Sequence, residues 1–173
     1  MDSYQPVMPG SKRFKKMVVR TVLFVLGRAM QSASKYDVEI KRELAVLPDN
    51  LRIQMQILPS GPCMTVVTQN GKLKYLGQKP MEADMIVIYK NLESAFMLFT
   101  AQKGIAKSYA EHRLSLRGDL SYAMVFTRCI IIIQGYLFPK IINNRIMKRV
   151  PAMSLKKHFI RLWLYSFGIS TGL

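Results

Sequence analysis

The chain has 173 residues, half of them hydrophobic, and a formal net charge of +16. That length suits one domain with a real core, and the hydrophobic share, with no low-complexity tract, excludes a disordered chain. The charge gathers at the ends: residues 1–36 carry +6, residues 37–119 only +2 and residues 120–173 +8, so a nearly neutral module is flanked by segments suited to an anionic surface, phospholipid or nucleic acid.

The N-terminal part carries KRFKK followed by an apolar run that Arg20 interrupts. Eleven residues precede these charges, and the run is shorter than the roughly 20 apolar residues a bilayer span needs, so neither a signal peptide nor a span is expected. At helical spacing, Lys12, Arg13, Lys16, Arg20 and Arg28 gather on one side and Phe14, Val18, Val22 and Val25 on another, which predicts an amphipathic helix over 11–33. Its basic face is either solvated, with the other face in the core, or laid on a membrane. A second helix is expected over 36–46, with Asp37 at its start and Pro48 past its end.

The period then changes to two. Residues 51–57 alternate apolar and polar, residues 64–69 form the next strand, and Asn70-Gly71 is a hairpin signal leading into a strand over 72–76. Gly77 and Pro80 end it, and residues 83–89 are apolar almost throughout, as in a strand covered on both faces. These four strands read as a meander. Asn91 caps a helix with Leu92, Ala95, Phe96 and Phe99 at helical spacing, and Gly104 ends it. After a short connection, Leu114 and Leu116 alternate with Arg113, Ser115 and Arg117 in a fifth strand. Gly118 supplies a tight turn, and Asp119 caps the next helix by accepting from its first unpaired N–H groups. The tripeptide Arg117-Gly118-Asp119 is thereby accounted for by the turn and the cap, and a cell-adhesion reading is set aside.

The apolar run over 129–138 reads as the buried end of that helix. Beyond Pro139, Ile141, Ile142, Ile146 and Met147 alternate helically with Lys148, Arg149 and other basic residues. Past Pro151, Leu155, Phe159, Leu162 and Trp163 share a side away from Lys156 and Lys157. Trp163, Tyr165 and Phe167 beside a basic cluster have the composition of an interfacial helix, with rings at headgroup depth and lysines on phosphates. Packing onto the sheet or onto a second subunit is the alternative.

Residues 83–88 (ADMIVI) before a capped helix, and Leu114-Ser115-Leu116-Arg117-Gly118-Asp119-Leu120 before another, resemble the two best-marked stretches of the sterol carrier protein type-two family. The resemblance covers residues 38–135. It implies an α+β domain whose five-stranded, mainly antiparallel sheet is covered by helices, around an apolar tunnel for sterols or fatty acyl chains. Gly118 and Asp119 match the family's strand-to-helix turn and Asp84 its acidic strand position, none of them catalytic. Both basic ends lie outside the usual module, which divides the chain into a basic N-terminal helix (1–36), a lipid-binding domain (37–135) and a basic aromatic helical extension (136–173).

The expected cavity wall consists of Ile53, Met55 and Ile57 from the first strand, Phe96 and Phe99 from the middle helix, Leu114 and Leu116 from the fifth strand, and Met124. Twelve methionines suit a pocket that adapts to varied apolar shapes. Lys12, Lys16, Arg20, Lys148, Arg149, Lys156, Lys157 and Trp163 are the expected membrane contacts.

Cys63 and Cys129 make neither a disulfide framework nor a metal pattern, no Asn-x-Ser/Thr sequon occurs, and a reducing, cytoplasmic setting follows. His112 and His158 fit no metal spacing or nucleophile motif, and no phosphate-cradling loop is present, so neither an enzyme, a cofactor nor a metal is expected. The first reading is a non-enzymatic lipid-binding or lipid-carrying protein docking peripherally on anionic membranes. Next stands an accessory or assembly domain of the same fold with a filled cavity, and last a nucleic-acid-binding protein, for which no recognition motif is present. A homo-oligomer is left open.

Overall fold

The structure, a computed structural model, describes residues 12–137. In chain order these form α1 (Arg13–Tyr36), α2 (Val38–Leu44), β1 (Arg52–Ile57), β2 (Cys63–Gln69), β3 (Lys72–Gly77), β4 (Met85–Tyr89), α3 (Leu92–Phe99), α4 (Ile105–Ala110), β5 (Leu114–Arg117) and α5 (Leu120–Leu137). The α+β architecture implied by the sterol-carrier resemblance, a five-stranded sheet covered by helices, is the one the chain adopts.

The four-strand meander is corrected. Strand order is β3, β2, β1, β4, β5; β1 pairs with β2, β2 with β3 and β4 with β5 antiparallel, but β4 pairs with β1 in parallel. The meander thus ends with β3, and the chain crosses over to the far side of β1. Gly77 takes a φ of 113° that ends β3, and the following segment runs across the sheet's back, where the buried Gln54 donates to Thr65 Oγ1 and to the Met81 carbonyl, both at 3.1 Å. Within the sheet β4 lies between β1 and β5; its ends Met85 and Tyr89 are buried, and Ile86, Val87 and Ile88 are half-buried.

The β2–β3 hairpin turns on Asn70 and Gly71, both at positive φ (50° and 66°), as a two-residue hairpin loop of this twist requires. β3 is an edge strand, and α1 covers it. Ser34 Oγ accepts from the Leu73 N–H (3.0 Å), and Gln31 Oε1 accepts from the Tyr75 N–H (2.9 Å), so donors that would invite another strand are occupied. The approach is close: a Cβ on Gly27 would lie 2.5 Å from the Tyr75 ring.

Alternation along the strands places Ile53, Met55, Val66, Leu73, Met85 and Leu116 on the face that the helices cover. Against this face α1 buries Val19, Leu23, Leu26, Met30 and Ala33, an i, i+4, i+7, i+11, i+14 stripe. Its N-terminal half carries the basic, exposed side. Helix α2 starts at Asp37, whose carboxylate accepts from the N–H groups of Glu39 (2.7 Å) and Ile40 (3.1 Å). The short connection expected after Gly104 contains a helix, α4.

Helix α5 has the length and mean hydropathy of a membrane span, yet almost half of it is buried within the domain. Arg128 of α5 pairs with Glu43 at 2.6 Å, and the Tyr136 hydroxyl donates to Asp37. Held at two points along its length, α5 is a core helix. At its start, Asp119 Oδ1 accepts from the Ser121 N–H (2.6 Å) and the Tyr122 N–H (3.4 Å), the cap read from the sequence. The helices expected beyond residue 139 lie outside the described residues.

Candidate functional site

Between the covered face of the sheet and α1, α3, α4 and α5 lies an apolar pocket of about 460 Å³. Each wall follows from the elements around it. The floor is a row of neighbours across three strands, Met55 on β1, Val87 on β4 and Leu116 on β5, with Tyr89 and Leu114 in the next row. Val22 and Leu26 of α1 close one side, Leu98 and Phe99 of α3 the second, and Ile105 and Tyr109 of α4 the third. The Tyr89 and Phe99 rings pack at 5.4 Å between centroids, fixing the corner where floor meets α3.

The long wall is α5, which contributes residues from Leu120 to Leu137. At about 1.5 Å of rise per residue this stretch is about 25 Å long, so the pocket is elongated along the helix. Two stripes build it. Ala123, Phe126 and Ile130 are buried, whereas Leu120, Met124, Thr127, Ile131 and Gln134 follow one another at i, i+4, i+7, i+11 and i+14 on the adjacent face. Leu120 is 63% exposed, Met124 53% and, across from them on α4, Tyr109 56%. These large apolar groups mark the mouth, and the second stripe runs inward from it.

Of the expected wall residues, Met55, Phe99, Leu114, Leu116 and Met124 line this pocket together. Ile53, Ile57 and Phe96 do not. Ile53 and Ile57 are almost wholly buried in the packed core, Ile53 between Val66 and Met85, and Phe96 turns toward α1, where the Lys15 ammonium lies 5.4 Å from its ring centre. Missed from the sequence were the contributions of α1, of α4 and of the inward stripe on α5. The α5 spacing was readable as a helical stripe; the part played by α1 depends on how the N-terminal helix folds back over the sheet, which local sequence does not encode.

Of the expected membrane contacts, Lys12, Lys16 and Arg20 are exposed at the N-terminal end of α1. Lys12 lies 3.9 Å from Glu93, and Arg20 Nε donates to Gln78 Oε1 at 3.3 Å. Beside them Phe14 is 68% and Met17 60% exposed. Lys148, Arg149, Lys156, Lys157 and Trp163 lie outside the described residues.

The described part of the pocket offers little for chemistry. Burial pushes the Tyr89 phenol well above its ordinary range and the Cys129 thiol up to about 12; the Cys63 thiol is raised by the same cause. All three stay protonated at neutral pH. No group of three or more His, Cys, Asp or Glu side chains gathers as metal ligands among the described residues. His112 is exposed, ending the α4 turn at a φ of 52°, and Asp84 serves the backbone, accepting from the Arg52 N–H at 2.8 Å.

No family model matches the sequence, and no curated protein matches it. Among solved structures, the chain is similar to a UbiJ-SCP2 ubiquinone synthesis protein, with 13% identity and a TM-score of 0.43 over 69% of this chain and 98% of that one. It is also similar to the sterol carrier protein domain 2 of Helicoverpa armigera, with 15% identity and a TM-score of 0.46 over 63% and 85%. A third is the Sterol Carrier Protein 2 Like 2 of Aedes aegypti, with 13% identity and a TM-score of 0.33 over 56% and 94%. These are likenesses of fold at low identity and say nothing of a ligand.

Proposed function

We propose that this protein is a non-enzymatic lipid-binding or lipid-carrying protein of the cytoplasm that docks peripherally on anionic membranes. The observation that carries this reading is the elongated apolar pocket with its mouth rimmed by Leu120, Met124 and Tyr109. Its volume of about 460 Å³ falls within the range of roughly 300–1,000 Å³ typical of small-molecule sites. Each methylene moved from water into such a pocket contributes about 0.8 kcal/mol, so an alkyl chain along α5 gains affinity from its length.

Docking is supported by the N-terminal end of α1, where exposed Phe14 and Met17 sit among Lys12, Arg13, Lys16 and Arg20. Apolar groups of this kind enter the headgroup boundary, and each cation near an anionic leaflet contributes about 1 kcal/mol. The basic extension over 136–173 adds charge of the same sign.

Two assays test the reading. Binding of a fluorescent fatty-acid analogue, followed by displacement with unlabelled lipids, measures occupancy of the pocket. Co-sedimentation with vesicles of phosphatidylserine and phosphatidylcholine measures docking, which should fall with added salt and with the triple change Lys12→Glu, Lys16→Glu, Arg20→Glu. A pocket that takes up no lipid would favour the accessory-domain reading of the fold.

A further inference from the structure

Inward of the mouth, three side chains interrupt the apolar wall of the pocket: Tyr89, Thr127 and Gln134. No Asp, Glu, Lys, Arg or His side chain among the described residues lines it. Thr127 and Gln134 are seven positions apart on the inward stripe of α5, hence on one face and about 10 Å apart along the axis. Both are half-buried, and neither their side-chain polar atoms nor the Tyr89 hydroxyl has a hydrogen-bond partner among the described residues.

A pocket built only for hydrocarbon would gain from Leu or Val at these positions, because a polar group facing an apolar ligand forfeits its hydrogen bonds at a cost of about 1–3 kcal/mol. A carboxylate or phosphate drawn into the same place would meet no cation among the described lining residues, and an unpaired buried charge is costlier still. A carboxamide both donates and accepts, as a hydroxyl does, so the pair can serve either a hydroxyl or a carbonyl oxygen. We infer that the pocket selects lipids whose buried end carries an uncharged hydrogen-bonding oxygen, with Gln134 as its principal partner and Thr127 as the second. This inference rests on the lipid-binding reading above and adds the chemistry of the end group.

The test compares three ligands with one hydrocarbon chain, hexadecanol, hexadecane and hexadecanoate, delivered from cyclodextrin at mildly alkaline pH and read by displacement of a fluorescent lipid. In the unaltered protein, hexadecanol binds about tenfold more tightly than hexadecane, a difference of about 1.4 kcal/mol, and more tightly than hexadecanoate. Gln134→Leu brings hexadecanol to the level of hexadecane and leaves hexadecane no weaker, and Thr127→Val shows the same change in smaller degree. Gln134→Lys supplies the missing cation and turns the preference toward hexadecanoate.

Equal binding of alcohol and alkane by the unaltered protein overturns the inference while leaving the lipid-binding reading intact. So does a Gln134→Leu protein that loses both ligands equally, or a hexadecanoate affinity matching that of the alcohol. Uptake of none of the three overturns the reading and the inference together.

Discussion

The hydroxyl of Tyr136, in the last turn of α5, donates to the buried carboxylate of Asp37, which also caps α2. One side chain thereby holds the far end of the pocket's long wall against the helix that joins α1 to the sheet. Burial, and then the adjacent Asp37 carboxylate, raise the Tyr136 phenol above its ordinary range, so it remains a donor at every physiological pH. Replacing it by phenylalanine leaves the carboxylate its backbone donors but removes the phenol. Tyr136→Phe should cost about 1–3 kcal/mol, as expected when a buried charged acceptor loses a partner. Urea unfolding checks this, with a lower midpoint and an unchanged slope as the expected result.

The turn between β5 and α5 carries a sharper constraint. Gly118 has a φ of 118°, and a Cβ there would lie 2.7 Å from the Asp84 carbonyl oxygen. Gly118→Ala therefore meets both an unfavourable backbone region and a collision with main chain. It should lower stability by about 1–3 kcal/mol, and at about 2–4 °C per kcal/mol for a domain of this size the melting temperature falls by several degrees. Asp119→Ala should lose about 1 kcal/mol through the cap, with Asp119→Asn restoring most of it.

What could be read from sequence follows the range of each interaction. The Asn70-Gly71 hairpin, the Asp37, Asn91 and Asp119 caps and the Gly118 turn all depend on neighbours within a few residues, and each is found where the pattern indicates. The parallel β1–β4 pairing was not legible. An apolar strand after a breaker is compatible with continuing a meander or crossing over, and the contact that accompanies the crossover, Gln54 with the Met81 carbonyl, joins residues 27 positions apart. The same limit applies to the pocket. Met55, Leu114 and Leu116 alternate visibly, but Ile53 and Ile57 alternate just as well, and which of them faces empty space is decided by where α1 and α4 lie.

A filled pocket should be separable from a damaged one. Leu116 is a half-buried floor residue on β5, and Leu116→Trp places an indole in the space an alkyl chain would occupy. Displacing two methylenes at about 0.8 kcal/mol each predicts a loss of lipid affinity somewhat above tenfold. The lipid-displacement assay reads the loss, and an unchanged melting temperature shows that the fold has kept its packing.

On the surface beside α4, Lys103 and Arg113 both bond to Glu111. Lys103 first and Arg113 second hold the carboxyl at about 2, against an ordinary value of 4.5. A carboxyl whose folded pKa is depressed stabilises the fold above the unfolded value, and the contribution is lost as pH falls from about 4.5 toward 2. Glu111→Gln should therefore flatten the pH dependence of stability within that window, and at neutral pH, where the contribution is fully present, the variant should be the less stable of the two. Thermal melts across the window, with carbonyl NMR of Glu111, check the sign; an inflection of Glu111 near 4.5 would show that the cluster does not hold in solution.

The central claim, that the pocket holds lipid, is met most directly by native mass spectrometry of the purified protein, followed by organic extraction of whatever accompanies it. The account predicts a stoichiometric adduct of lipid mass that added long-chain alcohols displace and that Leu116→Trp diminishes. A clean mass of the bare chain, unchanged after incubation with alcohols, fatty acids and sterols, would contradict it.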